Sequence, residues 1–132
     1  ASLVSNHEEL KSLARSRSPL FHPAVMFKRS VVLSVGGYPE FRNSQDYALW
    51  ALLLVSGYRL GNVPETLVRM RVGDAIKKRR GWRYLKQEIK VLSFQRSINF
   101  LSTPRFCVNF CMRSALRLLP LHIKKIFYRI AR

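Results

Sequence analysis

Hydrophobic and polar positions along the 132 residues change period several times, and each period predicts an element. At the start, 5-SNHE-8 fits a capping box, with Ser5 as N-cap and Glu8 three residues on, and predicts a helix from about Asn6 to Arg15. The stretch 16-SRSPLFHP-23 reads as a turn, because Pro19 and Pro23 each push the preceding residue toward extended geometry. Residues 24-AVMFK-28 read as a short strand. Ser30 is then placed to cap a helix of one or two turns, VVLSV, which Gly36 and Gly37 stop. The densest apolar run, 47-YALWALLLV-55, reads as a buried helix that starts near Asp46 and ends before Gly57.

Tyr58 to Gly61 is a turn or a short strand, and a strand-like alternation follows in 66-TLVRMRV-72, broken by Gly73-Asp74. From Trp82 onward the pattern is helical, with Val91, Phe94, Ile98 and Leu101 at helical spacing. After Thr103-Pro104, a polar stripe of Arg105, Asn109, Arg113 and Arg117 recurs at intervals of four. Beyond Pro120, Ile123, Ile126, Phe127 and Ile130 face His122, Lys125, Arg129 and Arg132 in a further amphipathic repeat. The expected fold class of the chain is therefore α+β, mostly helical with two or three short strands.

Composition narrows the class. The chain is 48% apolar, enough for one domain with a core and too much for wholesale disorder. Its longest apolar run, Tyr47 to Val55, falls far short of the ~18–20 residues a membrane span needs. The N-terminus lacks the basic-then-apolar order of a signal peptide, and the chain opens without Met inside capping sequence; the expectation is a piece of a larger protein. Charge is uneven: residues 1–73 carry a net +4 and residues 74–132 a net +13. Such asymmetry implies a polyanionic partner, whether nucleic acid, anionic lipid headgroups or a phosphorylated substrate. Cys107 and Cys111 have no His at ligand spacing, so they read as small apolar residues on a packed face in a reducing, cytoplasmic setting.

Most enzyme signatures are missing: there is no glycine-rich phosphate loop, zinc spacing, nucleophile elbow or pair of nearby acids. What the chain has is an ordered string, 21-FHPAVMFKRSVVLSVGGY-38, then 45-QDYALW-50, then 57-GYRLGNVPETLVRMRVG-73. That string resembles the back half of the catalytic domain of glycosyltransferase family 2. Members read there as a His-Pro-Ser/Thr-Val-Met-Phe strand, a Gly-Gly-Tyr turn, a Glu-Asp-Tyr-x-Leu-Trp helix start and an Asn-x-Pro-x-x-Leu-Val-x-x-Arg strand. The later 79-RRGWRYLKQEIK-90 is similar to an extension of bacterial capsule and exopolysaccharide members. The resemblance covers roughly residues 6 to 92.

The resemblance implies an α/β parent with the GT-A, nucleotide-diphospho-sugar transferase-like fold. Residues 1–73 would be the acceptor-side half of that domain, and residues 74–132 a basic helical C-terminal extension. It implies inverting transfer of a sugar from a nucleotide-sugar donor to a glycan or lipid-linked acceptor in bacterial surface polysaccharide synthesis. The setting would be cytoplasmic, peripheral on the inner face of the plasma membrane. The family binds donor and divalent metal, Mg or Mn, through an N-terminal half ending in Asp-x-Asp. Here the only aspartates are Asp46 and Asp74, so that motif is missing and no metal ligand is expected within this chain. The fragment alone is expected to be inactive. Its apolar surface near Val25, Phe27 and Leu67, left without a sheet to pack on, predicts self-association or partial unfolding.

Within the resemblance Asp46 takes the place of the general base, which must come within roughly 2.6–3.2 Å of the acceptor hydroxyl whose proton it removes. Taken alone it reads as an ordinary carboxylate favoured at a helix N-terminus, and the motif string around it turns the reading to a base. Gln45 replaces the family Glu, Ala24 replaces Ser/Thr, and Ser18 stands where capsule members carry Asn. His22 would line the acceptor side of the cleft, or serve as a structural histidine. Trp50 would floor the sugar site by stacking, or pack into the core. Arg69 and Arg71 alternate on one strand face and would approach a donor diphosphate, or remain solvated charges. Two other classes compete. One is a basic amphipathic module over Phe106 to Ile130 that docks on an anionic membrane without catalysis. The other is nucleic-acid binding, favoured by charge but disfavoured because Phe94, Phe100, Phe106 and Phe110 follow core spacing.

Overall fold

A helix apolar on every side can be satisfied only by burial on every side. In the computed structural model, which describes residues 5–69 and 82–118, the helix Gln45–Val55 comes near this, with Tyr47 to Ala51, Leu53 and Leu54 buried. Around it stand α1 (His7–Ala14), a 3-10 turn (His22–Ala24), α2 (Arg29–Ser34), then α3 itself (Gln45–Val55), α4 (Trp82–Ser97) and α5 (Thr103–Leu118). Each side of α3 meets a different neighbour. Ala51 and Leu54 pack with Ala14 of α1, Leu92 of α4 and the Phe100-Leu101 turn. Leu49, Trp50 and Leu53 pack with Val32 of α2, and Tyr47 and Ala48 with Val91 of α4.

Among the described residues there is no β-strand, and the α+β expectation is corrected to all-helical. The alternating stretches join no ladder among the described residues. Val25 and Lys28 have extended dihedrals, with ψ of 146° and 123°. A strand, however, is defined by its neighbour's hydrogen bonds, and neither 25–28 nor 60–69 has one here. The apolar side chains that alternation would bury lie open instead: Met26 is 99% exposed and Leu67 64%. His22–Ala24, at the junction of the expected turn and strand, winds into the 3-10 turn, with Pro23 in a first-turn position that suits its missing N–H. Residues 70–72 of the second alternation and the repeat at 123–130 lie outside the described residues.

Helix ends differ from expectation in detail. Asn6, not Ser5, caps α1, its Oδ1 accepting the Glu8 N–H at 2.9 Å. Ser30 lies inside α2, which begins one residue after Lys28. Gly36 and Gly37 do stop α2: their φ of 88° and 79° lets their N–H groups return to the Leu33 and Val32 carbonyls at 3.0 and 2.9 Å.

Helices α4 and α5 form an antiparallel hairpin through Ile98–Ser102. Arg96 lies over the Phe106 ring near the turn, and Arg117 reaches Glu88 and Tyr84 toward the other end. Three members of the polar stripe of α5, Asn109, Arg113 and Arg117, face inward, while Arg105 at its start is exposed. Asn109 is buried and donates to the Arg15 carbonyl at 2.7 Å, and Arg113 donates to the Ser16 carbonyl at 3.1 Å. Both satisfy carbonyls just past the C-terminus of α1, where cations and donors are favoured. Tyr47 completes that end by donating to the Ala14 carbonyl at 2.6 Å. Because the stripe turns in, Cys107 and Cys111 face solvent; both are free and exposed, which corrects their reading as members of a packed face.

Candidate functional site

The N-terminus of α3 is where four of the predicted site residues, His22, Gln45, Asp46 and Trp50, come together. The chain enters it through Ser44, a non-glycine residue in the left-handed region at φ 61°, whose side chain makes no capping bond. Backbone strain of this kind costs about 1–3 kcal/mol and clusters at sites that need a fixed geometry. Gln45 and Asp46 follow as the first two helical residues, both half-buried, and Asp46 is the only acid in the first turn. Its carboxylate makes no hydrogen bond or ion pair among the described residues.

Two further segments bring rings to the same place. His22, at the first position of the 3-10 turn, lies 5.8 Å from Tyr38 edge-on and 6.2 Å from Trp50 at a tilt of 48°. Tyr38 follows the Gly36-Gly37 turn and also meets Phe27, edge-on at 6.4 Å. Trp50 is one helical turn past Asp46 and only 1% exposed, wedged among Val32, Leu49 and Leu53. Its indole Nε1–H is buried without a hydrogen-bond partner among the described residues. The Tyr38 phenol is pushed above its ordinary range, first by partial burial and then by the charge of Asp46, which ties that carboxylate electrostatically to the ring cluster.

His22, Gln45, Asp46 and Trp50 are thus gathered around the first turns of α3. Arg69 is not: it is exposed, with no hydrogen bond or ion pair among the described residues. Arg71 lies outside those residues. Tyr38 is the member that the sequence pattern hid inside a turn; its signal was an aromatic ring directly after two glycines. Chemically the cluster offers an unpaired carboxylate, a neutral amide, an imidazole and a phenol that holds its proton. This set can take one proton and hydrogen-bond several hydroxyls. It does not suit a metal. Among the described residues no three His, Cys, Asp or Glu side chains converge on one point, so the Mg or Mn implied by the resemblance finds no ligand set here.

Comparison with known proteins gives the class. The chain is 29% identical over 127 residues to the amylovoran biosynthesis glycosyltransferase AmsE of Erwinia amylovora, covering 96% of this chain and 48% of that protein. It is 35% identical over 127 residues to the UDP-Gal:alpha-D-GlcNAc-diphosphoundecaprenol beta-1,3-galactosyltransferase of Escherichia coli, with 96% and 46% covered. An uncharacterized glycosyltransferase of Haemophilus influenzae is 29% identical over 123 residues, with 92% and 45% covered. Its homologues are glycosyltransferases. The chain spans about half the length of these relatives. No family model matches it, and no solved structure does. The resemblance carried by the motifs therefore holds at the level of a glycosyltransferase, with relatives in exopolysaccharide and O-antigen biosynthesis.

Proposed function

We propose that this chain supplies the acceptor side of an inverting glycosyltransferase of family 2, with Asp46 as the base that activates the acceptor hydroxyl. The observation that carries the reading is the gathering of His22, Tyr38 and Trp50 beside an unpaired Asp46 on a rigid helix start. In the reaction the acceptor oxygen attacks the anomeric carbon as Asp46 takes its proton. The bond from that carbon to the nucleoside diphosphate breaks on the opposite face, the diphosphate leaves with the electron pair, and the configuration inverts. His22 and Gln45 orient acceptor hydroxyls, and Tyr38, kept protonated, adds a donor. Trp50 fixes the floor from within the core.

The name of the Escherichia coli relative gives it a UDP-sugar donor and a diphosphoundecaprenol-linked acceptor. The same classes fit here: a nucleotide sugar, with Arg69 and Arg71 toward its diphosphate, and a lipid-linked glycan on the cytoplasmic side of the plasma membrane. A divalent Mg or Mn would belong to the remainder of the parent protein. The test is sugar transfer by the full-length protein carrying Asp46→Asn, assayed with a panel of nucleotide sugars and lipid-linked acceptors. Loss of turnover with donor binding intact is expected; unchanged turnover overturns the assignment.

A further inference from the structure

Helix α5 is inverted relative to an ordinary surface helix. Its polar stripe, Asn109, Arg113 and Arg117, is turned onto α1 and Glu88. The opposite face carries Val108, Cys111, Met112, Ala115 and Leu118, all exposed, at helical spacing. Val108 is 52% exposed and Met112 50%, and no charged side chain interrupts the row. A continuous apolar face of this length on the surface calls for a partner.

Charge selects the partner. Within residues 82–118 the single acid is Glu88, and it is buried beneath two arginines. The exposed charges of the same hairpin are all cationic: Arg83, Lys86, Lys90, Arg96 and Arg105. Beside Val108, an open cleft between α1 and α5 is lined by Arg15 and Arg105, neither with an acidic partner among the described residues. Lys86 also lies over the ring of Trp82, a half-exposed aromatic of the kind that settles at headgroup level. A second copy of a chain with net charge +17 would be repelled from this face. Duplex nucleic acid offers nothing to its aliphatic row. An anionic lipid surface satisfies both features at once, phosphates for the arginines and acyl chains for the row. No helix among the described residues is long and apolar enough to cross a membrane, so the contact is one of lying on the surface.

We propose that α5 is an interfacial membrane helix, docking its Val108–Met112–Leu118 face into an anionic leaflet with Arg15 and Arg105 at the headgroups. This surface is separate from the α3 cluster and does not depend on the transfer reading. The test uses the whole chain and vesicles of equimolar phosphatidylglycerol and phosphatidylcholine, in a sedimentation assay. Partitioning that weakens with salt, and that is lost on pure phosphatidylcholine, is expected. Val108→Glu with Met112→Glu changes exposed positions, so circular dichroism stays unchanged while partitioning falls about tenfold or more. If the glutamates unfold the chain, Val108→Ser with Met112→Ser is read instead, with a smaller loss expected. Failure of the parent chain to bind, or a folded variant that binds as the parent does, overturns the proposal. So does a salt-resistant dimer that the same substitutions dissolve, which would assign the face to a second copy.

Discussion

Arg117 of α5 grips Glu88 of α4 through two parallel hydrogen bonds of 2.9 Å, Nε to Oε2 and Nη2 to Oε1. Arg113 adds a third cationic contact, Nη1 at 3.5 Å from Oε1, and the two guanidinium groups also lie over the Tyr84 and Tyr47 rings. The carboxylate is nearly buried and the arginines mostly so, which makes removal of the acid much worse than loss of an exposed pair. Glu88→Ala is therefore expected to cost about 3 kcal/mol in urea unfolding, because it leaves two partly buried cations facing each other. Glu88→Gln, which keeps an acceptor, costs less. A loss under about 0.5 kcal/mol for the alanine variant would mean that the cluster behaves as surface charge.

Tyr38 reports on Asp46. Burial is the larger cause of its raised pKa and the Asp46 charge the second, so Asp46→Asn moves the phenol titration down only part of the way. The sign for stability follows. A phenol held protonated in the folded state contributes stability below its unfolded pKa, and that contribution disappears as pH rises through the folded value. Carbon NMR of labelled tyrosine, with Tyr38→Phe to assign the resonance, measures the shift. An unmoved titration in Asp46→Asn would separate the two residues.

The helices were legible in the chain because each is specified locally. The run 47–55 is apolar on all sides and leaves α3 no orientation to choose, and Gly36 and Gly57 mark helix ends by their left-handed φ. What was illegible depends on partners distant in sequence. The alternation of 24–28 and 66–72 is strand-like, but pairing belongs to a neighbour that the pattern does not contain. For α5 the repeat identifies two faces without saying which turns in. The answer comes from the Arg15 and Ser16 carbonyls and from Glu88, more than 25 residues away from their partners by number. At the site, Asp46 and Trp50 are one helical turn apart and could be paired from the sequence alone. Tyr38 joins them only because the loop before α3 folds it back toward His22.

The open side chains of the unpaired segments carry their own consequence. Met26 and Leu67 are exposed on stretches that join no β-ladder among the described residues, in the part of the chain with the lower net charge. Self-association of the isolated chain is expected to run through this surface. Met26→Lys with Leu67→Lys should then give a monomer in sedimentation velocity and leave the unfolding midpoint nearly unchanged, since neither residue is buried. Persistence of the same oligomer in the double variant would move the contact elsewhere.

The decisive prediction concerns Asp46 itself. In the full-length protein, Asp46→Asn preserves size and most hydrogen bonding but removes the ability to accept a proton. Loss of a general base lowers turnover by on the order of 10²–10⁴. Donor affinity is expected to change little, because the proposed reading places the donor on other residues. Were Asp46 only a charge favoured by the α3 N-terminus, the same change would cost about 1 kcal/mol of stability at most and leave turnover alone. The two outcomes are separated by measuring turnover at matched folded protein. Gln45→Glu gives a second reading of the same site. It restores a carboxylate beside Asp46, and at a base site it is expected to hold or raise the rate. Turnover of Asp46→Asn within about threefold of the parent would show that the proton goes elsewhere, since even a weak general base contributes more than that.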